Sequence, residues 1–289
     1  MVGVLLLVLT ACGASGVARS LPVNDDDPAS VIAHAVASLD KFGPYRDPST
    51  AEAEQGRAVA RLILDAPADT AGLDRAFGGL GYTPKHGTDP ATGRPYAMYT
   101  MPTDAEPAWG TVLIDRTRPV RAVVEVPHPA ADLHTEVIGT ALHRLLPGSV
   151  LLVAGAHRDA AGGKGDVAHN DRSMFHILAT EFAGRGIPQI QLHGFADRNL
   201  PEREAVVSTG SGPTSALAEG VAAAFGRAGF NTCRAWAEPC GRLEGTRNEQ
   251  GIAAAAAGAA FLHVELGYAV RSNPSRRDLV AKAVVDALG

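Results

Sequence analysis

His128, Glu136, His193 and Glu265 are the residues whose types and order suit metal chemistry. Catalytic zinc commonly takes two His and one carboxylate and keeps its fourth position for water. His128 and Glu136 lie close together in Val124-Glu125-Val126-Pro127-His128-Pro129-Ala130-Ala131-Asp132-Leu133-His134-Thr135-Glu136, and His193 follows much later in Ile190-Gln191-Leu192-His193-Gly194. Glu265 sits inside the apolar run Ala259–Leu266, where an ionised carboxylate is costly unless it is paired, binds metal or exchanges a proton. A carboxylate beside a zinc site can take a proton from water and later give it to a leaving amine. Each His alone also fits a surface or hydrogen-bonded core residue. Glu265 also fits the solvent face of an edge strand, sharing that face with His263.

These residues need elements that bring them together. From Arg121 onward, apolar runs at Ala122–Val126, Val150–Ala154, Gln189–Leu192, Ala205–Ser208 and Phe261–Leu266 alternate with helix-length amphipathic segments. That alternation predicts an α/β layer sandwich with a largely parallel sheet. Seven of the ten histidines fall between His128 and His193, and ligands of open α/β sheets bind beyond the carboxyl ends of the strands. Upstream, Asn24-Asp25-Asp26-Asp27-Pro28 reads as a helix start and Ala51–Leu64 as a helix. Thr83–Arg94 reads as a loop before strands near Tyr96–Met101 and Trp109–Asp115. A boundary near residue 120 divides an N-terminal α+β extension and linker (13–120) from the α/β domain (121–289), although the N-terminal strands equally suit the edge of the same sheet.

With 289 residues, 46% of them apolar, the chain has enough interior for a core. The net charge of −5 and the absence of a Lys/Arg cluster exclude a nucleic-acid partner. Residues 1–12 read as a lipoprotein signal segment: the apolar run Val2–Leu9 leads into Leu9-Thr10-Ala11-Cys12, with Cys12 the lipidated residue. The expectation is export to the cell envelope and a lipid anchor at the outer face of the bacterial cytoplasmic membrane. The Ala-rich stretch Ile252–Leu262 is too short to span a bilayer, so lipid is the only membrane contact expected. In an oxidising compartment, Cys233 and Cys240 form a disulfide closing a short loop.

The ordered series of a strand-end His128, a helix-opening Glu136, Leu192-His193-Gly194, Asn248-Glu249-Gln250-Gly251 and Val264-Glu265-Leu266 followed by Arg271 resembles the poly-γ-glutamate hydrolase and N-formylglutamate amidohydrolase group, relatives of the zinc carboxypeptidases. The resemblance covers roughly Val123 to Leu288. It implies a three-layer α/β sandwich with a mixed, largely parallel central sheet, and a Zn2+ cofactor held by His128, Glu136 and His193. Glu265 is then the general base, with Asn248 and Arg271 beside the site. The family's first His and Glu are closer together than His128 and Glu136, so His134 or Asp132 can stand in for one of them.

Gly155-Ala156-His157-Arg158 follows a strand, and Asp166-Val167-Ala168-His169 with Ser173 takes the place of a His-x-Thr-Ser stretch in the relatives. His157, His169 and Ser173 are candidate substrate contacts. Arg158 or Arg172 suits a substrate carboxylate or a developing oxyanion. Gly162-Gly163-Lys164-Gly165 lacks the upstream Gly and following Ser/Thr of a phosphate loop, and Gly210-Ser211-Gly212 is no nucleophile elbow. The expected activity is zinc-dependent hydrolysis of an amide bond in a peptide, a cell-wall fragment or an N-acyl amino acid. The rival is a noncatalytic lipoprotein that binds a small ligand with the same fold.

Overall fold

The computed structural model describes residues 24–288, so Cys12 and the apolar run before it lie outside the described residues. The elements run α1 (Pro28–Ala37), α2 (Thr50–Asp65), α3 (Thr70–Gly79), β1 (Thr83–Thr88), β2 (Pro95–Thr100), β3 (Thr111–Asp115), β4 (Ala122–Val126), α4 (Thr135–Leu145), β5 (Ser149–Val153), the single turn α5 (Ala160–Gly163), α6 (Met174–Ala183), β6 (Gln189–Phe195), β7 (Ala205–Ser208), α7 (Ala216–Arg227), β8 (Thr232–Arg234), α8 (Glu249–Ala257), β9 (Phe261–Gly267), α9 (Tyr268–Ser272) and α10 (Pro274–Leu288).

The strands form one nine-stranded mixed sheet in the order β1-β2-β3-β5-β4-β6-β9-β7-β8. Its centre, β5-β4-β6-β9, is parallel, whereas β1, β2, β3 and β5 pair antiparallel on one side and β9 with β7 on the other. Helices cover both faces, giving the three-layer α/β sandwich. On one face Val124, Val126, Leu151 and Leu192 pack with Ile138 and Leu142 of α4, Val221 and Phe225 of α7 and Val280 and Val284 of α10. On the other, Val123, Val150 and Leu152 meet Val59 and Ile63 of α2, Phe77 of α3 and Leu178 and Phe182 of α6. Strands buried from both sides are predominantly apolar, and β4 and β7 coincide with the runs Ala122–Val126 and Ala205–Ser208, with Glu125 and Ser208 as their buried polar members.

Local signals set the helix starts. The Asp27 side chain accepts from the Ala29 N–H and Pro28 occupies the first turn of α1. Ser49 and Glu52 form a reciprocal capping box at the start of α2. One expectation fails at Thr83–Arg94, where residues 83–88 are the edge strand β1, paired antiparallel with β2 through an Asp89–Gly93 turn. An edge strand tolerates Pro84, Gly87 and solvent exposure, so it carries no apolar signature. Because β3 pairs with β5, the strands of the N-terminal extension continue the same sheet.

Candidate metal centre

Parallel pairing places the carboxyl ends of β4, β6 and β9 side by side, and the chemistry-bearing residues gather there. His128 lies just past β4. The Ala131 and Asp132 N–H groups donate back to the His128 carbonyl at 3.1 and 2.7 Å, a turn that folds the Asp132 carboxylate against the His128 ring. His193 stands in β6 directly opposite Glu265 of β9. The rings of His128 and His193 meet edge to face with centroids 4.9 Å apart.

Asp132 Oδ2 lies 3.4 Å from Nδ1 of His128 and 3.4 Å from Nδ1 of His193. His128, Asp132 and His193, all buried, form one group of potential metal ligands. A second group, His193, His263 and Glu265, adjoins it through the shared His193. Glu136 belongs to neither. It follows the left-handed His134 (φ 73°) in the first turn of α4, where its carboxylate takes backbone N–H groups of Glu136 and His134, and it lines the groove between α1, α4 and α10 with Ala33, Thr140 and Asp278. The turn that begins at His128 closes on Asp132, four residues on, and the chain has changed direction by Glu136. His134 likewise stands outside both groups.

Proton positions test whether these residues fit a cation. His128 Nε2 faces Asp166 Oδ1 at 2.7 Å, and His193 Nε2 faces Gln191 Oε1 at 2.6 Å. Both partners are acceptors, so both Nε2 atoms carry hydrogen. In the neutral rings Nδ1 is then a bare lone pair, and both Nδ1 atoms converge on a carboxylate oxygen. His128 Nδ1 is buried without a hydrogen-bond partner. Lone pairs aimed at one another out of water repel unless a cation lies between them. The 3.4 Å spacings match the ~3.3 Å between ligands on a tetrahedral ion with ~2.0–2.1 Å bonds. A His that binds zinc through one nitrogen usually donates from the other to a carboxylate or carbonyl. The donor set fits zinc.

Without a metal, a proton takes the place of the cation between these groups. Burial opposes charge on His128, but Asp132 and Asp166 on either side outweigh it and hold the imidazole above its usual range. Burial pushes Asp132 and Asp166 towards neutrality, yet the adjoining histidines, with Arg158 beside Asp166, keep both carboxyls well below theirs. Burial takes His193 down to about 4. Glu265 is pushed well above the carboxyl range by burial, reinforced by Asp132, and its Oε2 has no hydrogen-bond partner. β9 runs between β6 and β7, so Glu265 is on an interior strand.

The remaining candidates surround this core. Asp166 binds Arg158 at 2.6 Å and His169 at 3.0 Å as well as His128. His157 accepts the Asp159 N–H, Ser173 caps α6 through the His176 N–H, and exposed Arg172 pairs with Asp47 at 2.9 Å. Arg271 lies across Gly194, where a side chain would strike the guanidinium, and donates to the carbonyls of Leu133, Phe195 and Leu266. Asn248 caps α8 and donates to Gln191 Oε1. Sequence reasoning missed Gln191, Gln250 and His263: polar residues in or beside buried strands were the available signal. It also missed a polar cavity of about 430 Å³ lined by His169, Arg242, Glu244, Gly245, Thr246 and Arg247. That cavity adjoins the centre, since His169 holds Asp166 and Gly245 packs on the His263 ring. The loop bearing it follows the Cys233–Cys240 disulfide, which is present with Cα atoms 5.9 Å apart.

No protein-family model matches the chain, and no curated protein does. Among solved structures, the chain is similar to N-formylglutamate amidohydrolase from Ralstonia eutropha JMP134, at 11% identity over 61% of this chain and 95% of that one, TM-score 0.44. It is also similar to zinc-free YndL, at 15% identity over 61% and 88%, TM-score 0.43. Gene product Atu2144 from Agrobacterium tumefaciens is 14% identical over 58% and 88%, TM-score 0.37.

Proposed function

We propose that the chain is a zinc-dependent hydrolase of amide bonds, held at the outer face of a bacterial membrane by lipid on Cys12. The observation that carries the catalytic part is the convergence of His128 Nδ1 and His193 Nδ1 on one Asp132 oxygen, with both Nε2 atoms committed to acceptors. Asp132 takes the carboxylate position that the sequence offered to Glu136, with His134 or Asp132 as alternatives.

When bound, zinc supplies Lewis acidity that acidifies water and polarises a carbonyl. Glu265, opposite His193, takes a proton from the attacking water at its unpartnered Oε2 and returns it to the leaving amine. Asp166 orients His128, and Arg158 holds Asp166 from the rim; its remaining N–H groups are the proposed donors to the developing oxyanion. Arg271 clamps the carbonyls of the loop after His128 and the ends of β6 and β9, keeping donors and base in register. The polar cavity with exposed Arg242 and Arg247 admits the substrate: a peptide, a cell-wall fragment or an N-acyl amino acid.

The disulfide supports residence in an oxidising compartment, and among the described residues no helix is long and apolar enough to cross a membrane. Purified protein should carry about one zinc per chain, with occupancy falling sharply in His128→Ala or His193→Ala. Full occupancy with both histidines replaced refutes the site. Zinc without release of amine from any acyl or peptide substrate leaves a ligand-binding protein instead. Unchanged membrane fractionation and mass after Cys12→Ala refutes the anchor.

A further inference from the structure

Behind His193 lies a chain of buried amides with a single hydrogen-bond direction. Gln191, Asn248 and Gln250 are at most 2% exposed. Gln250 Nε2 donates to the Val167 carbonyl at 2.9 Å, and a backbone carbonyl only accepts. Gln250 Oε1 must therefore face the other way, and it accepts from Gln191 Nε2 at 3.1 Å. The same Gln191 nitrogen donates its second hydrogen to Glu125 Oε2 at 2.8 Å. Gln191 Oε1 is left to accept from His193 Nε2 and Asn248 Nδ2. Asn248 is oriented independently, because its Oδ1 accepts the backbone N–H groups of Gln250 and Gly251 at the start of α8, and those groups only donate. Two backbone anchors, one at each end, thus fix which atom of Gln191 faces His193.

We infer that Gln191 is a positioning residue which transmits this direction to His193, holding its hydrogen on Nε2 so that Nδ1 presents a lone pair beside Asp132. The inference rests on the zinc reading for its consequence but not for its geometry. The Nε2 to Gln191 contact, at 2.6 Å, is far shorter than the 3.4 Å between Nδ1 and Asp132, and only the first has hydrogen-bond geometry.

Asn248→Asp combined with Gln250→Leu tests the direction, because the Gln250 anchor alone would hold Gln191 in place. Aspartate retains the helix cap but replaces the Nδ2 donor with an acceptor, and leucine removes the Oε1 that fixes the other end, so the Gln191 amide turns and its NH2 group faces both the introduced carboxylate and His193. Long-range 1H–15N spectra of the metal-free protein should show His193 protonated at Nε2 in the parent and at Nδ1 in the variant. Zinc affinity, by chelator competition, should weaken by roughly 10–100-fold while thermal melting stays cooperative. Should the double variant fail to fold, Gln191→Leu removes the acceptor at similar size and should also lose the Nε2 tautomer and at least tenfold in affinity. An unchanged tautomer with affinity within threefold of the parent overturns the relay. A parent that binds no zinc overturns the proposed function, and the tautomer spectra then decide the relay alone.

Discussion

Replacing Glu125 by Gln should remove a marked pH dependence of stability that originates beneath the site. Glu125 is fully buried in β4. Oε2 accepts from Gln191, Oε1 has no partner, and burial pushes the carboxyl up to about 8. The unfolded chain loses this proton near its ordinary value of 4.5. Between 4.5 and about 8 the native state therefore holds more protons, and stability falls as pH rises. At ~1.36 kcal/mol per pH unit, the loss by pH 7 reaches a ceiling of about 3 kcal/mol relative to pH below 4.5. Gln keeps the shape and the acceptor for Gln191 and carries no proton to lose. Urea denaturation of metal-free parent and variant from pH 5 to 9 should show the variant gaining on the parent steadily, with the difference levelling off above pH 8. A difference that stays constant across this range would refute a protonated Glu125.

Glu265→Gln should lower amide hydrolysis by ~10²–10⁴-fold with zinc content near the parent's; loss of the metal would make Glu265 a ligand, and full activity would remove it from the chemistry. Asp132→Asn should reduce zinc occupancy far more than Glu136→Gln, measured by atomic emission, and the reverse order would restore Glu136 as ligand. Cys233 and Cys240 should resist alkylation until reduced, and the Cys233→Ala/Cys240→Ala pair should cost about 2.5 kcal/mol in denaturant unfolding, as expected for so short a loop; no change in stability would show that the bridge leaves the unfolded chain unconstrained.

Much of this arrangement was legible because burial leaves a periodic trace. β4 and β7 could be bounded to the residue from largely apolar runs, and Glu265 stood out as a carboxylate within another. His128 and His193 were readable from their place at strand ends. The choice among Asp132, His134 and Glu136 was not, since it depends on a non-repeating turn and on a positive φ at His134, neither of which has a periodic signature. The polar face of β4 and β6 was also opaque: Glu125 and Gln191 look like ordinary strand alternation until packing sets Asn248 and Gln250 against them. Ser173, a candidate substrate contact, also caps α6, and Arg271, placed beside the site by the resemblance, also clamps three carbonyls; neither role has a signature in the sequence.

The insertion of β9 between β6 and β7 governs the order in which the molecule can be completed. β6 and β7 are both synthesised earlier, yet neither can satisfy its facing backbone groups on the other until the segment carrying Glu265 has slid between them. During synthesis and any passage through a membrane, two strand edges stay open to mispairing with other chains. A molecule cut short before Phe261 would lack the base and would also be sticky. Quality control at the strand level therefore coincides with completion of the chemistry, because the last central strand to arrive closes the sheet and brings Glu265 to its place opposite His193.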